Sequence, residues 1–95
     1  MLVTAGRRVS TDREPDHNLA FGRVLADLRR HRSLSQEKLG FDANLDRSYI
    51  SLLERGKRSP TLDTIISLCR VLHIQFGDLS RLVEAKLEEM DAKEP

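Results

Sequence analysis

The apolar residues of this chain recur every three or four positions, which is the spacing of amphipathic helices. The clearest stripe contains five residues: Leu62, Ile65, Ile66, Cys69 and Leu72. Along the chain, this spacing predicts helices at about residues 19–31, 36–43, 47–55, 62–72 and 76–91. The predicted fold class is therefore all-α, with a compact five-helix domain over residues 18–92.

Residues that favour helix ends lie next to these stripes. Asn18, Ser35, Asp46 and Thr61 each precede a stripe, and their side chains suit the N-cap position. Gly56 follows the third stripe and can adopt the positive φ that ends many helices. These residues predict where four helices begin and where the third helix ends.

The connection between the second and third helices is very short. It contains only Asn44, Leu45 and Asp46, so the two helices must cross steeply, as they do in a helix-turn-helix. Gly40 falls where the two backbones approach most closely, and a residue without a Cβ fits there. This crossing leaves the outer side of the third helix free to enter a DNA major groove.

Charge and cysteine content narrow the possible functions. Residues 1–58 hold 12 basic and 8 acidic side chains, a balance of +4, whereas residues 59–95 hold 4 and 7, a balance of −3. One face can therefore meet an anion. The single cysteine, Cys69, excludes an intramolecular disulfide, and an aliphatic stripe around it favours a core role over a redox role.

The two ends of the chain show no helical spacing. Residues 1–17 are predicted to be a flexible tail, or alternatively a basic arm that contacts DNA through Arg7, Arg8 and Arg13. Residues 93–95 are expected to fray. No apolar run is long enough to span a membrane, and no secretory signal is visible.

The stretch "LRRHRSLSQEKLGFDANLDRSYISLLERGKRSPTLDTIISLCRVLHI" resembles the Xre-type helix-turn-helix family. This family includes Cro and cI-type phage repressors and the controller proteins of restriction–modification systems. "LSQEKL" matches the start of the second helix, and "SYISLLERGKRSPTLDTI" matches the third helix and its exit. The resemblance implies a lambda-repressor-like DNA-binding domain.

The resemblance also implies roles for single residues. The positions that match the base-reading residues of the family are Arg47, Ser48, Ser51 and Leu52, although leucine can offer only an apolar contact. The positions that match phosphate contacts are Gln36, Tyr49, Arg55, Lys57 and Arg58. Tyr49 has an open alternative, which is packing beside the first helix. Arg29 and Glu54 match a structural ion pair that orients the recognition helix.

Relatives in this family bind palindromic operators as homodimers, so the expected partners are double-stranded DNA and a second copy of the chain. We expect the dimer interface on the fifth helix, at Leu79, Leu82, Val83, Leu87 and Met90. The predicted function is a bacterial or phage-encoded cytoplasmic transcriptional regulator, and the more specific expectation is a restriction–modification controller or phage-type repressor. The alternative is an antitoxin or adaptor module that mainly binds a protein.

No arrangement of residues indicates an enzyme. His17, His31 and His73 stand singly, and neither a catalytic set nor a phosphate-binding glycine loop is present. We therefore expect no metal, no cofactor and no small-molecule effector.

Overall fold

The computed structural model describes residues 16–92, which form five helices and, within that range, no strand. They are α1 (Asp16–His31), α2 (Gln36–Ala43), α3 (Arg47–Glu54), α4 (Leu62–Leu72) and α5 (Phe76–Ala92). The all-α, five-helix prediction is confirmed. Most of the predicted tail, residues 1–15, and the predicted frayed end, residues 93–95, lie outside the described residues.

One hydrophobic core joins all five helices. Its largest fully buried side chains are Leu25, Leu39, Ile50, Leu53 and Leu68. Burial of a side chain of this size contributes about 1.5–3 kcal/mol to folding. α3 is held on its inner side by Ile50 and Leu53, which are 0% exposed. The core therefore fixes which side of α3 faces solvent.

Helix α1 begins earlier than the sequence indicated. It starts at Asp16 rather than Leu19, and Asn18 lies inside the helix instead of capping it. Asn18 is 8% exposed, so packing holds a residue of low helix propensity within the first turn. Asp16 in that turn suits the partial positive charge of a helix N-terminus. The N-cap prediction for Asn18 was wrong because tertiary packing overrides local propensity.

Helix α4 is rotated only in part from its predicted apolar stripe, because Ile65, Cys69 and Leu72 lie in or against the core as predicted. Leu62 is 62% exposed and Ile66 is 39% exposed, whereas Leu68 is 1% exposed. The helix carries apolar residues around more than half of its circumference, so spacing alone could not select the buried side. The observed core side includes Leu68, Cys69 and Leu72 and is rotated away from Leu62.

The other helix ends agree with the predicted capping residues. The Ser35 hydroxyl accepts a hydrogen bond from the Lys38 backbone N–H at 3.0 Å, and the Thr61 hydroxyl accepts one from Thr64 at 3.1 Å. Asp46 occupies the N-cap position of α3 in an extended conformation, without a capping hydrogen bond from its side chain. Each of these helices thus begins where its cap predicted.

The turn between α2 and α3 has the predicted tight geometry. Asn44 adopts a left-handed conformation with φ of 61°, and the Leu45 N–H donates to the Gly40 carbonyl at 2.7 Å. A Cβ on Gly40 would lie 2.5 Å from the Leu45 carbonyl oxygen. Gly56, with φ of 75°, follows α3. A glycine at position 40 is therefore required by the turn.

Gly22 makes a second close approach, which the sequence analysis missed. A Cβ there would collide with the backbone carbonyl oxygens of Leu53 and Glu54 at the end of α3. The absence of a side chain at this position lets α1 lie directly against α3. This contact fixes the end of α3 relative to α1.

Candidate nucleic-acid interface

The outer side of α3 is a solvent-facing surface with mixed chemistry. Arg47 and Ser48, in its first turn, are exposed, and Ser51 and Leu52, one turn further on, are half-buried. All four predicted base-reading residues therefore lie on the opposite side of the helix from Ile50 and Leu53. A helix exposed in this way has the dimensions to enter a major groove.

The predicted ion pair between Arg29 and Glu54 is present and is bidentate. Arg29 Nε donates to Glu54 Oε2 at 2.6 Å, and Arg29 Nη2 donates to Glu54 Oε1 at 3.0 Å. The side chains are only 11% and 6% exposed. Arg29 Nη1 also donates to the Leu34 carbonyl at 2.9 Å, which ties α1 to the loop before α2. The hydrogen bond to Glu54 raises the pKa of Arg29, although burial opposes this effect.

Gln36 extends this pair into a three-residue network. Its Nε2 donates to Glu54 Oε1 at 2.9 Å, from the first position of α2 to the last position of α3. A carboxylate can only accept hydrogen bonds, so the amide nitrogen of Gln36, and not its oxygen, must face Glu54. The second amide N–H remains available beside the free backbone donors of the α2 N-terminus. This arrangement suits an anion such as a phosphate.

The other predicted phosphate contacts lie around the exit of α3. Arg55 is exposed and its Nε donates to the Ser51 hydroxyl at 3.3 Å. Lys57 and Arg58 are exposed in the following loop. Tyr49 is half-buried and packs against the hydrophobic core, which favours the packing alternative for its ring. The exit of α3 is therefore a basic surface continuous with the outer side of the helix.

The two hydrophobic sides of α5 are distinct. Leu79 is 4% exposed and belongs to the core, so it offers little surface to a second protomer. Leu82 is 42% exposed and lines a groove between α1 and α5, together with Val24 and Leu28. The predicted interface residues Val83, Leu87 and Met90 are half-buried, and Val83 packs against the core.

Phe76 adds to the outer apolar side of α5, and the sequence analysis did not select it. Residues 7 and 11 positions apart in a helix point in nearly the same direction, which aligns Phe76 with Val83 and Leu87. Phe76 is 45% exposed. By the same helical geometry, Leu82 points in a different direction from this outer side. The heptad interval between Phe76 and Val83 was the signal that could have identified it.

The cysteine and histidines form no site in the described part of the chain. Cys69 is 6% exposed in the core, and burial raises the pKa of its thiol. Among residues 16–92, no group of three potential ligands could hold a metal ion. Within the same range, no helix is both long and apolar enough to cross a membrane.

Comparison with known proteins identifies the family to which this fold belongs. A family model described as helix-turn-helix matches residues 25–79. This chain belongs to that family. It is 44% identical over 62 residues to the control protein C.BamHI of Bacillus amyloliquefaciens, a match that covers 64% of this chain and 76% of C.BamHI.

Two solved structures have the same helical arrangement. The restriction–modification controller protein C.AhdI of Aeromonas hydrophila is 43% identical with a TM-score of 0.63, covering 64% of this chain and 92% of C.AhdI. The controller protein C.Esp1396I was solved as a tetramer in complex with its natural 35 base-pair operator. It is 24% identical with a TM-score of 0.72, covering 78% of this chain and 97% of C.Esp1396I. At this level of identity, the similarity establishes only that the two proteins share a fold.

Proposed function

We propose that this helix-turn-helix protein is a transcriptional regulator that binds palindromic operator DNA as a homodimer. The observation that carries the proposal is the outer side of α3, where Arg47 and Ser48 are exposed while Ile50 and Leu53 anchor the helix in the core. Buried anchors on one side and polar side chains on the other hold a recognition helix rigidly for insertion into a groove.

Direct base recognition rests on the first turn of α3. Arg47 has the geometry to donate two hydrogen bonds to O6 and N7 of a guanine. Ser48 and Ser51 can donate to or accept from base edges, and Leu52 can contact a thymine methyl group. We therefore expect a G·C pair in each half-site.

Phosphate contacts set the position of this helix on the duplex. Gln36 offers an amide N–H at the N-terminus of α2, and Arg55, Lys57 and Arg58 surround the exit of α3. Contacts of this type supply affinity and orientation without reading sequence. The Arg29–Glu54–Gln36 network would then couple the phosphate contact at α2 to the orientation of α3.

The role of a restriction–modification controller is the more specific part of the proposal. It is supported by the identity of more than 40% with C.BamHI and C.AhdI, which are named as control and controller proteins. The same fold binds operator DNA in C.Esp1396I. A protein with this role works where the DNA is, in the bacterial cytoplasm.

A selection from a random duplex library with the purified full chain tests the proposal. We expect enrichment of a palindrome whose half-sites lie about one helical turn apart, with a G·C pair in each half-site. Enrichment of a non-palindromic site would contradict the dimer. No enrichment by the folded protein would overturn the regulator and favour the protein-binding alternative, an antitoxin or adaptor.

A further inference from the structure

A depression of about 400 Å³ adjoins the helix-turn-helix and is lined by residues of α1, α2, α3 and α5. We call it the α1 depression. It shares Gln36, Ser51 and Arg55 with the proposed DNA-binding surface, so the two surfaces are continuous. The part contributed by α1 has no role in the function proposed above.

The charge of the α1 depression is predominantly positive. Four basic side chains line it: Arg23, Arg30, Arg55 and Lys86. Of its two carboxylates, Glu54 is already bound by Arg29 and Gln36 through both oxygens. The other, Asp27, is 64% exposed and lies 3.7 Å from Arg30 and 3.9 Å from Lys86. Lys86 is also paired with Glu89 at 3.0 Å, whereas the long and exposed pair between Asp27 and Arg30 contributes little. The excess of positive charge in the depression therefore comes from its three arginines.

Arg23 and Arg30 present their guanidinium groups on one side of α1. Seven residues correspond to about 10.5 Å along a helix and to a rotation of only about 20° between the two side chains. Both residues are exposed, and within residues 16–92 Arg23 has no acidic partner. Two aligned arginines with little or no neutralisation form a linear basic surface beside Gln36.

We propose that the α1 depression is a second phosphate-binding site, in which Arg23 and Arg30 bind backbone phosphates of the operator. Each strand of duplex DNA carries one phosphate for about every 3.4 Å of helix axis. A strand that places one phosphate at the N-terminus of α2 therefore carries further phosphates past the neighbouring depression. Arginine suits this role because its guanidinium group can bind two phosphate oxygens at once.

This inference rests on the proposed function and extends the DNA contact from α2 and α3 to α1. The test compares the salt dependence of binding for the full-length wild type and the R23A/R30A variant. The two probes are the palindromic duplex enriched from the library and an unrelated duplex of about 30 base pairs, or three helical turns. Fluorescence anisotropy over a series of KCl concentrations gives the slope of log K against log[salt].

Each lost phosphate contact should reduce the magnitude of this slope by about 0.9. A dimer that loses two contacts per protomer should therefore show a slope smaller in magnitude by about 3 to 4. The reduction should be the same on both duplexes, and the affinity ratio between them should not change. R23K/R30K should retain the wild-type slope. The matched control, R70A/R81A, removes two exposed arginines of α4 and α5 outside the depression and should also retain it.

The outcomes separate the two proposals. A wild type that binds neither duplex overturns the proposed function and this inference with it. A wild type that binds, with an unchanged slope in R23A/R30A, overturns this inference alone. Binding of inorganic phosphate by Arg23 and Arg30 with an unchanged DNA slope also overturns it. Thermal unfolding verifies the fold of each variant, and R23Q/R30Q decides the test if the alanine variant does not fold.

Discussion

At the scale of single residues, Glu54 connects three parts of the proposed interface. Its carboxylate accepts from Arg29 of α1 and from Gln36 of α2 while it ends α3 itself. The acid sits among basic residues without repelling DNA strongly because Arg29 neutralises it at 2.6 Å in a nearly buried position. We infer that it fixes the mutual orientation of α1, α2 and α3.

Replacement of Glu54 tests this role. Glu54→Gln should destabilise the domain by about 3–5 kcal/mol, since Arg29 loses its charge partner while remaining nearly buried. The amide nitrogen introduced would also face the donors of Arg29 or Gln36. Urea denaturation measures the free energy of unfolding directly.

A second ion pair of similar length provides the control. Arg81 Nη2 lies 2.8 Å from Asp78 Oδ1, but these side chains are 73% and 55% exposed. Asp78→Asn should therefore change stability by less than about 1 kcal/mol. Equal effects of Glu54→Gln and Asp78→Asn would show that burial of the Arg29–Glu54 pair has no energetic consequence.

We expect sequence recognition to depend most on Arg47. Arg47→Ala should weaken binding to the selected operator by about 1–3 kcal/mol and relax the preference at one base pair of each half-site. Binding to unrelated DNA should fall less, because the phosphate contacts remain. Titration of both duplexes at one salt concentration measures the two effects. An equal loss on both would identify Arg47 as a phosphate contact instead.

At the scale of helices, two close backbone approaches determine where α3 lies. Gly40 admits the turn between α2 and α3, and Gly22 admits direct contact between α1 and the end of α3. Both contacts are with backbone carbonyl groups, which cannot move aside as a side chain can. The position of the recognition helix therefore depends on two residues that have no side chain.

Gly22→Ala should consequently destabilise the domain by at least about 1–3 kcal/mol, which is the usual cost of overpacking a core. The added methyl group meets the carbonyl oxygens of Leu53 and Glu54, so α3 must shift. DNA affinity should fall with stability, since the recognition helix is displaced. Thermal unfolding followed by circular dichroism measures the loss.

Gly77→Ala is the matched control for this substitution. A Cβ on Gly77 would meet only Arg81 Nη2, at an ordinary 3.6 Å. Alanine there should be neutral or stabilising by up to about 1 kcal/mol, because glycine is a poor helix former. Similar effects at positions 22 and 77 would contradict the account of the α1–α3 contact.

At the scale of the whole molecule, some apolar residues of α5 pack in the core and others form an exposed surface. Leu79 closes the core and the half-buried Val83 packs against it, whereas Phe76 and Leu87 extend along the outer side of the helix. Leu82 lies in the groove against α1. We expect the outer side to form the homodimer interface, which brings two recognition helices to successive half-sites.

Phe76→Glu should convert the dimer to a monomer, because a charge would be buried without a partner in the interface. The substitution should leave the protomer folded, since Phe76 is 45% exposed and an acidic residue suits the first turn of a helix. Leu82→Glu, at a residue 42% exposed, should leave the dimer intact. Sedimentation velocity distinguishes the two; dissociation by Leu82→Glu alone would assign the interface to the α1–α5 groove.

The sequence by itself determined the helical composition and most helix ends. Ser35, Asp46, Thr61 and Gly56 act through short-range hydrogen bonds and backbone angles, so neighbouring residues contain the information. The same is true of the three-residue turn, which forces α2 and α3 to cross. The roles of Arg47 and Gln36 came from family resemblance, and they stay predictions.

Only the tertiary structure decided how the helices face one another. The buried position of Asn18 and the rotation of α4 depend on packing between helices distant in sequence. The hydrogen bond between Gln36 and Glu54 spans 18 residues, and no local spacing specifies it. The alignment of Arg23 with Gln36 and Arg55 likewise arises because Gly22 lets α1 lie against α3. Local chemistry sets which segments are helices, whereas close packing sets which surfaces they expose.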